Sequence, residues 1–122
     1  KLVSEACFLA GLRKVKTTWE GENQVAFRPN AVYHYIQDYS IKPDFVVDVT
    51  EYYDRKMESI ACFKSQFFNP ESTEPETPIS GKGFTEFVAS RMMELGRPIG
   101  AKYGEGFTVE RFIGVESLFD LK

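Results

Sequence analysis

Nucleophilic catalysis by a serine or cysteine requires a base within hydrogen-bond reach, and the single histidine, His34, lies in the aromatic run Tyr33-His34-Tyr35. A strand position is the expectation there, not a catalytic base. Metal-assisted hydrolysis needs three or four converging His, Asp, Glu or Cys ligands. The carboxylates are scattered, and the spacing of Cys7 and Cys62 matches no zinc pattern that His34 could complete, so neither a catalytic group nor a metal ligand is assigned to this chain. Gly81-Lys82-Gly83 precedes a helical pattern and has amides to offer an anion, but it lacks the phosphate-loop spacing and reads as a loop-to-helix joint. Arg28 follows Ala26-Phe27 and precedes Pro29, a rigid setting from which a guanidinium can be aimed at a carboxylate; a surface arginine is the plainer alternative. In Phe63-Lys64-Ser65-Gln66-Phe67 the Gln66 amide sits between aromatics, where it needs partners if buried and otherwise anchors a loop. Tyr103-Gly104-Glu105-Gly106-Phe107 places two glycines around one acid, a pattern suited to a tight turn that brings backbone close to another element.

These groups must be positioned by a short series of elements. Leu2, Val3, Ala6, Phe8, Leu9, Ala10 and Leu12 predict a helix apolar nearly all round, closed by Gly11 and the basic residues Arg13, Lys14 and Lys16. Such a helix belongs against more protein. No capping residue precedes it and there is no initiator Met, so the chain is expected to begin inside an element of a larger protein. Thr17 to Gln24 is expected to be loop. Val32 to Ile36 predicts one strand, and Phe45 to Val49, after the Lys42-Pro43-Asp44 turn, a second and fully buried one. Asp48 with Glu51, or Thr50, would cap a helix striped by Tyr53, Met57, Ile60, Ala61 and Lys64 and ending near Gln66. Asn69 to Lys82, with three prolines and one glycine, predicts a long irregular loop. Phe84, Phe87, Val88, Met92, Leu95 and Ile99 mark one face of a helix after Gly83, with an end or kink near Glu94 to Arg97 because Pro98 removes a hydrogen bond. Phe107 to Val115 reads as a short strand or extended edge.

At 122 residues the chain supports one modest core, and 43% hydrophobic with 27% charged residues places it among globular proteins. A net charge of -3 leaves no basic field for phosphate backbones or anionic lipid, so nucleic acid and membrane are not expected partners. Cys7 and Cys62 sit among apolar neighbours and read as reduced, packed thiols.

Five segments in order, Phe8-Leu9-Ala10-Gly11-Leu12-Arg13-Lys14, Val32-Tyr33-His34-Tyr35, Pro43-Asp44-Phe45-Val46-Val47-Asp48, Lys64-Ser65-Gln66-Phe67 and Tyr103-Gly104-Glu105-Gly106-Phe107, resemble LmbE-like (PIG-L superfamily) N-deacetylases. The resemblance spans nearly the whole chain. It is closest to the bacillithiol-biosynthesis branch, which removes acetyl from N-acetylglucosaminyl malate. It implies an α/β class, the C-terminal part of a Rossmann-like fold with about three helices and a few strands, forming a single incomplete domain over residues 1–122. It also implies a cytoplasmic hydrolase that assembles as a homo-oligomer, hexameric in the family. Zinc is the cofactor of the intact enzyme, held by His-x-Asp-Asp and His-Pro-Asp-His motifs that would lie upstream, so no cofactor is expected in this chain and the chain alone should be inactive. Three substrate-binding candidates follow, with Arg28 and Phe84 carried over from the family and Gln66 added from its setting between aromatics. Arg28 matches an arginine near the active-site mouth, Gln66 lies in the fourth segment, and Phe84 falls where relatives place a tyrosine thought to help stabilise the oxyanion, allowing one inserted loop residue. A phenyl ring cannot donate that bond. The competing expectation is a non-catalytic binding or assembly module on the same scaffold, consistent with Phe84.

Overall fold

A computed structural model describes residues 1–121 apart from 72, 74 and 76. In chain order it contains α1 (Leu2–Ala10), β1 (Thr18–Trp19), β2 (Glu22–Asn23), β3 (Tyr33–Tyr35), β4 (Phe45–Asp48), α2 (Tyr53–Ala61), α3 (Gly83–Gly96) and β5 (Gly104–Val109). The class is α/β. Strands β1 and β2 form a two-stranded sheet, and the second sheet has the order β3-β5-β4. The chain divides into two compact units, one of Lys1–His34 with Val109–Ile113 and the other of Tyr35–Thr108 with Gly114–Lys122.

In the first unit, α1 has no side-chain cap at its start and ends at Gly11, whose amide reaches back to the Phe8 and Leu9 carbonyls. Its apolar side chains stay open, Leu2 at 81% exposure and Phe8 at 56%. The stretch Thr17 to Gln24, expected as loop, is instead the β1-β2 hairpin, with Thr18 opposite Asn23 and Trp19 opposite Glu22. Its two-residue turn has positive φ at both positions, 51° at Glu20 and 85° at Gly21. That backbone matches the twist of paired strands, and Gly21 supplies the harder conformation without steric cost. Short polar strands carry no apolar alternation, so only the turn dipeptide signalled them.

In the second unit, β4 and β5 pair antiparallel with Phe45 opposite Phe107 and Asp48 opposite Gly104. The expected full burial of β4 is corrected: Phe45 and Val46 are half-buried, while Val47 and Asp48 are exposed. The Asp48 carboxylate does accept from the Thr50 amide at 3.1 Å, but one 3-10 turn, Thr50–Tyr52, intervenes before α2 begins uncapped at Tyr53. Helix α2 also stops at Ala61, before Gln66, and successive turns then carry the chain to Phe67. Cys62, just past this end, is exposed and not packed; both cysteines are free thiols.

Helix α3 runs as the periodicity requires, giving way at Arg97 to a 3-10 turn containing Pro98 and closing on the left-handed Gly100. Met92 on its inner face is 3% exposed and forms the centre of the core. The expected turn at Tyr103 to Phe107 is corrected as well: Gly104 to Phe107 belong to strand β5, in the middle of its sheet and not at an edge. Its glycines serve close approach. A Cβ on Gly104 would fall 2.7 Å from Val46 Cγ1 and 2.8 Å from the Gly96 amide, so helix and strand meet backbone to backbone. Tyr53 and Tyr103 stack in parallel with centroids 3.9 Å apart, and Lys56 pairs with Glu105. The Arg91 guanidinium donates to the carbonyls of Gln37, Asp38 and Tyr39, tying the segment after β3 to α3. Among the described residues, no helix is long and apolar enough to cross a membrane.

Candidate functional site

The end of α2 and the start of α3 both lead into aromatic residues, and these pack on one another. Phe67 stacks on Phe84 with centroids 5.3 Å apart and rings 13° from parallel. Phe63 meets Phe67 edge-on at 6.4 Å, and Phe84 continues to Phe87 at 6.4 Å. Such ring pairs gain beyond simple burial, which holds the two helix ends together across the long loop. That loop, Asn69 to Lys82, has neither helix nor strand among its described residues. It is shaped locally by hydroxyl and amide side chains: the Asn69 side-chain oxygen accepts from the Glu71 amide at 3.1 Å, and Thr77 and Ser80 bond each other's backbone through their side chains.

Between the loop and the aromatic stack lies an open cleft of about 700 Å³, lined by Lys64, Gln66, Phe67, Phe68, Asn69 and Ser80 among others. The size suits a small-molecule ligand. The lining mixes apolar groups with amide and hydroxyl groups, and the Lys82 ammonium lies over the ring of one lining residue, Phe68, at 5.5 Å. The arrangement offers apolar ring faces and hydrogen-bonding groups together.

Of the three expected substrate residues, one lines this cleft and a second packs against a lining residue. Gln66 lines the cleft, exposed and not enclosed between aromatics, so its amide is accessible to a ligand. Phe84 does not line the cleft but stacks on Phe67, which does. Arg28 belongs to the other unit: its Nη2 donates to the Phe8 carbonyl at 3.3 Å and its guanidinium lies over the Phe8 ring at 4.9 Å. A cation at the C-terminal end of α1 suits the helix dipole, and Gly11 leaves the space that Arg28 fills, since a Cβ there would come within 2.5 Å of Arg28 Nε.

No protein-family model matches this chain. Among solved structures it is similar to the conserved protein TT1542 from Thermus thermophilus, with a TM-score of 0.70 and 21% identity, over 93% of this chain and 45% of that one. The chain therefore spans less than half the length of that protein. The likeness supports the α/β fold alone.

Zinc, which the resemblance implies for an intact enzyme, does not fit the residues present. Among the described residues no three His, Cys, Asp or Glu side chains converge. His34 instead has two neighbours that sequence reasoning missed, Ser4 Oγ at 3.3 Å and Glu110 Oε1 at 3.3 Å, both on Nε2. A serine relay needs the acid on one ring nitrogen and the nucleophile on the other, so this cluster is not one. Residues 30 and 76 positions apart gave no signal of meeting.

Hydrogen bonding from Ser4, followed by the hydrogen bond and charge of His34, holds the Glu110 carboxyl below its ordinary value. A depressed acid stabilises the folded state above its unfolded pKa and loses that contribution as pH falls through the folded value. The Glu110→Gln chain should therefore melt below the parent at neutral pH, with the gap closing below the ordinary glutamate range. Thermal melts at several pH values check this, and a gap that widens on acidification would contradict it.

Proposed function

We propose that this chain is the C-terminal portion of a zinc-dependent N-deacetylase of the LmbE-like, PIG-L type, hydrolysing the acetamide of an N-acetylglucosaminyl conjugate in the cytoplasm. The observation that supports the reading is that Gln66 lines an open cleft whose Phe67 stacks on Phe84, the residue at the family's tyrosine position. In this reading the chain contributes a wall of the substrate pocket, and the metal and general base belong to the upstream motifs. Phe67 and Phe68 offer faces to the sugar ring, and Gln66 and Asn69 offer amides to its hydroxyl and acetamide groups. Zinc, which would supply the hydrolytic group when bound, has no ligand set among the described residues. Assembly as a homo-oligomer, through apolar surface in this half, is part of the same proposal.

The second reading, a binding or assembly module without catalysis, is favoured by one observation: Phe84 is engaged in ring stacking and has no hydroxyl to donate. Both readings allow the 122-residue chain to bind sugar without hydrolysing it. They part when the coding sequence upstream of Lys1 is included. A longer chain carrying both metal motifs should bind zinc and release acetate from an N-acetylglucosaminyl conjugate. If it binds no zinc and releases no acetate, the deacetylase reading is lost and the second stands.

A further inference from the structure

We draw no further inference here: the strongest candidate, the exposed apolar side of helix α1 that carries Leu2, Val3 and Leu9, is an open helix face, and nothing in the structure shows what covers it.

Discussion

Replacing Gly96 by alanine should lower the stability of the chain by about 3 kcal/mol, the upper part of the usual range for overpacking. The added carbon would sit 2.8 Å from the Ala101 carbonyl oxygen, 2.9 Å from the Tyr103 carbonyl carbon and 3.0 Å from the Gly104 amide nitrogen. All three are backbone atoms, so no side chain can rotate away and the end of α3 must move off β5. Relief by movement is costly because the same approach carries the buried Met92 and the stacked Tyr53 and Tyr103. Small domains hold only about 5 to 15 kcal/mol in total, so the variant should lose a large share of its resistance to urea. Gly114→Ala is the matched control, because nothing lies within 4 Å of its added carbon and its φ is not positive. Its urea midpoint should stay with the parent. Equal midpoints for Gly96→Ala and the parent would show that helix and strand are not in backbone contact.

The second large effect is expected at Phe67, where truncation to alanine should cost about 3 kcal/mol and abolish ligand shifts at the cleft. Loss of a well-packed phenylalanine costs on the order of 3–5 kcal/mol, and the lower end applies because Phe67 is half-buried. The ring joins Phe63 to Phe84 and lines the cleft, so one substitution removes both a wall and the contact that fixes the start of α3. Phe67→Leu separates the two roles. A leucine keeps most of the apolar volume and should recover much of the stability, but it presents no flat face to a sugar ring and should bind weakly. Sugar binding by Phe67→Leu at parental affinity would exclude ring stacking as the mode of recognition, while a parental urea midpoint for Phe67→Ala would exclude the packing role.

The correctly read elements were those whose local signal was also their tertiary requirement. Helix α3 is the clearest case, since its apolar stripe, glycine start and Pro98 end are all sequence-local. Strand β4 was located by its β-branched and aromatic run, but its degree of burial was overestimated because a continuous apolar run does not say how many faces are covered. The β1-β2 hairpin failed for the opposite reason: its strands are two residues each and polar. Of the candidate cleft, Gln66 was named from its setting between aromatics and Phe84 from the family resemblance, whereas the stacking of Phe67 on Phe84 joins residues distant in the chain and gave no local signal.

The sequence by itself determined the α/β class, the long loop after α2, the extent of α3 and the presence of paired glycines that demand close backbone approach, because each follows from residue chemistry over a few neighbouring positions. Only the tertiary structure decided what those glycines approach, that Phe67 and Phe84 stack across the loop, that Arg28 serves α1, and that His34 stands between Ser4 and Glu110. Those are pairings between residues distant in the chain. Their geometry depends on how separate elements fill space together, a property that no local run of side chains contains.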